Sequence, residues 1–185
     1  MRSLILLVPL LTALAACGQS PSRYASPPVA SGERISIGLS QLEIREVTLP
    51  AYAQSEEIWH ETEEGGLESN TDVLWADTPA RGVTMELTQH LAALSSARVA
   101  AEPWPFEELP QARLVVRLQD MVARKDGRFH LAGQYYVVRL SAGSDRSGTF
   151  DISAPIAPEG GAAAVAAARA AAVRDLARLI ADRGF

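Results

Sequence analysis

The chain has 185 residues, 48% of them hydrophobic, and 17 Lys and Arg against 22 Asp and Glu give a formal net charge of -5. With no basic cluster along it, that balance argues against a nucleic-acid partner, since phosphate binding needs grouped Lys and Arg. Cys17 is the only cysteine, which excludes an intrachain disulfide and leaves no second thiol for a metal site.

The first segment reads as a secretory leader. Arg2 and the initiator amine make a cationic start, and the apolar run Leu4-Ile5-Leu6-Leu7-Val8-Pro9-Leu10-Leu11 follows. It is well short of the ~20 residues a membrane span needs. Leu14-Ala15-Ala16-Cys17 resembles the bacterial lipobox, in which the cysteine thiol takes a diacylglyceryl group and the new amino terminus is acylated. An ordinary secretory cut would instead leave Cys17 as a free thiol in an oxidising compartment. Acyl chains, at ~0.8 kcal/mol per buried methylene, would make attachment to the membrane lasting. Gly18 follows the cysteine where Asp would signal inner-membrane retention, so the expectation is an outer-membrane anchor facing the periplasm. The division expected is a signal peptide over residues 1-16, a lipidated start and tether over 17-33, and a domain over 34-185. That mature chain suits one domain with its own core.

Residues 18 to 32 are mostly Ser, Pro, Gly and Ala with a lone Tyr24, and they read as a flexible tether of r.m.s. span roughly 20 Å. Ile35, Ile37 and Leu39 alternate with polar residues, and Leu42 and Ile44 follow, which predicts a strand. A second strand is expected over residues 56–62. Glu63-Glu64-Gly65-Gly66 would turn it into a return strand over 67–70, and Val73 to Asp77 is another short apolar piece. Thr78 as N-cap and Pro79 at the first helical position start a helix, with Val83, Leu87, His90, Leu91 and Leu94 on its buried stripe. Val99-Ala100 is extended and leads into Pro103-Trp104-Pro105. The alternation Ala112, Leu114, Val116, Leu118 predicts a long strand. Asp126-Gly127 is its hairpin turn, and residues 129–140 return. A third strand over 148–156 completes the meander. An Ala-rich helix then runs from Gly160-Gly161 to about Asp182, with Val165, Ala168, Ala172, Leu176, Leu179 and Ile180 as its stripe. The fold class expected is α/β in the α+β sense: a mainly antiparallel sheet with two principal helices on one face.

No catalytic or cofactor signature emerges. His60, His90 and His130 fall in no metal-binding spacing. A hydrolase reading would need them to converge with carboxylates. The acidic run Glu56, Glu57, Glu61, Glu63, Glu64 lacks the spacing of a calcium loop, and a solvated face explains it. There is no G-x-S-x-G elbow, no G-x-G-x-x-G and no Walker sequence. Arg113, Arg117 and Arg139 lie on predicted strands, either as an anion strip or as solvated groups. Trp59, Trp75 and Trp104 stand at element edges. They are candidate interface residues, since tryptophan is enriched in binding hot spots, with core packing as the other reading. No metal or cofactor is expected.

Several segments in order resemble one family. Leu49-Pro50-Ala51-Tyr52, then an acidic residue and Ile58, is one; Leu74-Trp75-Ala76-Asp77-x-Pro79 leading into a helix with Leu87 and Leu91 is another. Pro103-Trp104 after a short strand, the long hairpin from Ala112 to Leu140 and a final Ala-rich helix complete the series. Together they resemble the ABC-type transport auxiliary lipoproteins, the family of paraquat-inducible protein C. The resemblance covers about residues 35–180 and agrees with the lipobox. It implies a fold similar to the anticodon-binding-like or TolB N-terminal arrangement. It also implies an accessory, non-enzymatic role beside an ABC transporter and a mammalian-cell-entry (MCE) domain protein that carry lipid or other hydrophobic molecules between membranes, with self-assembly into a ring as a further possibility. The alternative function is an envelope lipoprotein that holds lipid or another ligand in an internal apolar pocket.

Overall fold

The strongest periodicities become the longest elements. The computed structural model describes residues 20–185, so the expected signal segment and Cys17 lie outside the described residues. Ala112–Ala123 (β7), Arg128–Arg139 (β8) and Arg146–Pro155 (β9) form an antiparallel meander. Ala112, Leu114, Val116 and Leu118 point inward with Phe129, Leu131, Tyr135 and Val137 of the neighbouring strand, and all are buried. The ladder between β7 and β8 shifts by one residue between Leu118 and Asp120, and Gly133 sits opposite the shift. A Cβ there would run into the Arg117 carbonyl, so this close approach requires glycine. Beyond the bulge Met121 takes over the inward position, because one extra residue exchanges the two faces.

Two helices cover the inward face. Pro79–Leu94 (α1) buries Val83, Leu87, Leu91 and Leu94, and Gly161–Arg183 (α2) buries Ala168, Ala172, Leu176 and Ile180. Val165 and Leu179 of the expected stripe are only partly buried at its margins. Alanine at seven buried α2 positions keeps side chains short, so the helix approaches both α1 and the sheet closely. Thr78 is the N-cap residue, but its side chain makes no capping bond; Asp77 Oδ1 instead accepts from the Thr78 N–H at 2.9 Å.

The short strands depart from expectation. The run from Ile35 is a strand only over Gln41–Ile44 (β2), because Gly38 takes a left-handed φ of 62° that interrupts extended backbone. Ser22–Tyr24 (β1), His60–Glu61 (β3), Leu67–Glu68 (β4), Val73–Trp75 (β5) and Arg98–Ala101 (β6) complete the set. The sheet is mainly antiparallel, as expected, but not purely so: its short strands make it mixed. β2 lies between β6 and the start of β7 and is parallel to both. β3 runs parallel to the end of β7. The cause is connectivity: α1 carries the chain back along the sheet between β2 and β6, and a strand delivered by such a crossover runs parallel.

The second correction concerns the tether. Residues 22–24 are not free chain: β1 pairs in parallel with β5, Ser22 against Val73 through Tyr24 against Trp75. The domain therefore begins at least twelve residues before Arg34.

β7 sets the long axis. At one end Ala123 pairs with Phe129 beside the 124–127 turn, His60 aligns with Ala123, and β1 enters against the start of β5. At the opposite end Ala112 pairs with Arg139. The segment 102–111 links β6 to β7, two strands flanking β2, so it crosses β2 on the face away from α1.

Candidate functional site

The described structure has two unusual segments, and neither has apolar periodicity. The first is the N-terminal strap, residues 22–35, which lies along α1 and α2. The Ser22 N–H donates to the Asp72 carbonyl at 2.8 Å and the Ala76 N–H to the Tyr24 carbonyl at 2.9 Å. Arg23 donates to the Trp75 carbonyl and pairs with Glu56 at 2.8 Å. Ser26 Oγ accepts from Arg169 Nε at 3.1 Å, Ser31 Oγ is hydrogen-bonded to His90 Nδ1 at 2.8 Å, and the Ile35 N–H donates to the Leu94 carbonyl at 2.6 Å.

Arg169 is the centre of that arrangement. Its side chain is 5% exposed, pairs with Glu86 of α1 at 2.5 Å and lies 4.2 Å from the centroid of the Trp75 ring. It thus joins α2, α1, β5 and the strap. Arg169 Nη1 and Glu86 Oε2 have no hydrogen-bond partner among the described residues; the guanidinium face against the indole offsets part of that cost. Burial holds the His90 imidazole below its ordinary 6.5, with Glu86 opposing, Arg174 adding and Asp175 opposing.

The second segment is the crossover 102–111. Trp104 packs edge-on against Phe106, with centroids 5.0 Å apart, and its indole N–H donates to the Glu108 carbonyl at 2.6 Å. Arg98 stacks on Phe106 at 4.8 Å. Gln41 donates to Glu108 and the Ser40 N–H to Gln111. The loop is held in shape, yet it turns apolar groups outward. Leu109 is 83% exposed and Phe106 38%, and Leu140, whose N–H donates to the Gln111 carbonyl, is 45% exposed.

The three candidate tryptophans separate. Trp75 is core: it is 3% exposed, with its edge to Phe129, and offers no surface to a partner. Trp59 is half-buried beside Tyr52 and donates to Ser55. Trp104 is half-buried in the crossover. The structure does not bring the three together.

The titratable candidates fall into local pairs. Glu56 pairs with Arg23, Glu57 accepts from Ser69, and Glu61 lies 3.9 Å from Arg124. Arg124 also pairs with Asp120, which accepts from the Tyr52 hydroxyl at 3.0 Å. Burial pushes the Tyr52 phenol up to about 12, and it serves here as a structural donor. His60 and His130 flank the end of β7 on opposite sides, His130 beside Asp126, while His90 is on α1. Among the described residues no group of three or more His, Cys, Asp or Glu is placed to hold a metal ion. Arg113 pairs with Glu43 at 2.5 Å and Arg117 stacks on Tyr136, both on the outer face. Arg139 is opposite Ala112 and so belongs to the other face, which breaks the three-residue strip. A surface cleft of about 520 Å³ lies between the strap and the end of α2. Its walls combine Glu33, Arg34, Asp175, Arg178 and Asp182 with the apolar Ile35 and Leu179.

Sequence reasoning missed Arg169, Ser26 and Ser31 as the strap's fasteners, and Leu109 and Leu140 as exposed apolar groups. An arginine within an Ala-rich helix is the one hint of the clamp that the sequence contains.

Fold and surface together define a mixed α/β domain with paired rather than convergent charges and two long surface-crossing segments. The family model for the ABC-type transport auxiliary lipoprotein component matches residues 25–181, and the chain belongs to that family. A crystal structure of an uncharacterised protein is similar at 18% identity and TM-score 0.71, over 89% of this chain and 98% of that one. A DUF330 protein from Xanthomonas campestris is similar at 17% identity and TM-score 0.59, over 88% and 91%. A PelC dodecamer from Paraburkholderia phytofirmans aligns at 11% identity and TM-score 0.45, over 87% and 96%. No protein of curated function matches.

Proposed function

We propose that this protein is a lipid-anchored periplasmic accessory subunit of an ABC-type system that moves lipid or another hydrophobic molecule between membranes. It acts by docking rather than by chemistry. The observation that carries the reading is family membership over residues 25–181, joined to the lipobox that ends at Cys17. The anchor is acylated Cys17 and, from Gly18, the outer membrane. Its partner is the MCE-domain subunit of the same system.

The test has two parts. Mass spectrometry of the amino-terminal peptide is expected to find acyl chains on Cys17, lost with Cys17→Ser together with outer-membrane fractionation. Affinity purification from detergent-solubilised envelopes is expected to recover the MCE-domain subunit. An unacylated Cys17 would remove the anchor, and recovery of unrelated envelope proteins alone would remove the transport role.

A further inference from the structure

We infer that the far end of the domain, where Phe106, Leu109 and Leu140 stand exposed, is the protein-docking surface, and that its occupant is a partner protein presenting an apolar ridge with basic residues beside it. The inference rests on the reading of Cys17 as the anchor and adds to it the surface that the partner meets.

The argument starts from where the chain enters. The strap fixes Ser22 at the 124–127 turn end of β7, through β1–β5 pairing and the bond to the Asp72 carbonyl. Only four residues then lie between Cys17 and Ser22, a reach of roughly 17 Å at full extension. The exposed apolar groups are at the opposite end, beside the pairing of Ala112 with Arg139. The twelve residues of β7 between the two ends extend roughly 40 Å at about 3.3 Å each. For the far end to face into the bilayer that holds the anchor, the linker would have to reach back past the whole domain, and it is too short by a factor of about two. A free tether over 17-33 would have reached; the docked strap removes that possibility. An end-on contact of this surface with its own membrane is thus excluded.

Charge weighs against a two-fold contact centred on Leu109, where the exposed Arg98 stacked on Phe106 offsets only one of two carboxylates. Glu107 and Glu108 are exposed and directly precede Leu109. A two-fold contact centred on Leu109 would set these carboxylates against their own copies, and like charges facing across an interface are costly. The same groups disfavour anionic lipid and favour a partner with basic residues. Leu109, at 83% exposure, is the anchor such a ridge would cover, with Phe106 held ready by Trp104 and Arg98.

The experiment uses the full lipidated protein in vesicles of phosphatidylethanolamine and phosphatidylglycerol, with the purified MCE-domain subunit added. A photo-crosslinking residue at position 109 is expected to give an adduct with that subunit. The same residue at position 64, on the β3–β4 turn, is expected to give none. Leu109→Glu with Leu140→Glu is expected to weaken binding at least tenfold while the unfolding midpoint stays as in the wild type. A lipid adduct at 109, an adduct with a second copy, or undiminished binding by the double variant would overturn the docking assignment and leave the transport reading standing. Failure of the wild type itself to bind the subunit would overturn both.

Discussion

The strap and the crossover are both irregular, proline-containing segments laid across a face of the domain, yet they differ in how they are held. The strap is fastened from outside itself: a strand partner, a buried arginine on α2 and a histidine on α1. The crossover adds contacts of its own, Trp104 with Glu108 and Phe106, to bonds from Ser40 and Gln41 and the stacked Arg98, and turns Leu109 to solvent. A segment fixed by its neighbours is an integral part of the fold. A segment that adds internal contacts to its moorings can hold an exposed group such as Leu109 in place, which is what a contact surface needs.

Removing the shared fastener should break the contrast most severely. Arg169→Ala leaves the Glu86 carboxylate mostly buried without its partner and strips the cation from Trp75. The expected loss is about 3–5 kcal/mol in urea unfolding. Hydrogen exchange at the Ala76 amide, which donates to Tyr24, is expected to speed up with it. A loss under 1 kcal/mol would show that the strap does not depend on the clamp.

Ser26→Ala removes one hydrogen bond to the same guanidinium and should cost about 1.5–3 kcal/mol by the same measurement. An unchanged midpoint would mean that β1 alone holds the strap.

His90 gives the strap a pH dependence. Its folded value lies below the unfolded 6.5. Above 6.5 both states are neutral and nothing is lost. As pH falls below 6.5 the unfolded chain takes up the proton first, so stability declines until pH is beneath the folded value. Unfolding midpoints between pH 7.5 and 5 are expected to fall, and to fall less in His90→Gln. Equal slopes in the two proteins would remove His90 as the cause.

The smallest effect belongs to the crossover. Leu109→Ser is expected to change stability by no more than about 0.5 kcal/mol, since the side chain is largely in water already. A loss above 1 kcal/mol would make Leu109 structural and blur the contrast.

What could be read from the sequence follows from length and period. The β7–β8 hairpin and both helices each repeat their pattern over a dozen residues or more, so one face is specified several times over. β1 is three residues, Ser-Arg-Tyr, in a Ser/Pro/Ala stretch; its order comes from β5 and Arg169, far away in the chain. Strand direction was equally hidden, because four residues such as Gln41–Ile44 look alike in parallel and antiparallel company. The tryptophans show the same limit. Residue type nominated Trp75 and Trp104 alike, and only the packing of Phe129 and Arg169 around Trp75 separates them. The expected anchor at Cys17 rests on local sequence alone and lies outside the described residues.

The parallel pairing of β1 with β5 has a mechanical consequence. Tension arriving through the residues before Ser22 runs along the β1 axis, and β5 is held in place by the domain behind it. The rungs between the two strands are therefore loaded in shear, sharing the force, rather than peeled one after another. Only when β1 slides as a unit does the load reach Ser26 and Arg169. A tug on this chain meets a short three-residue latch first and a buried ionic lock second.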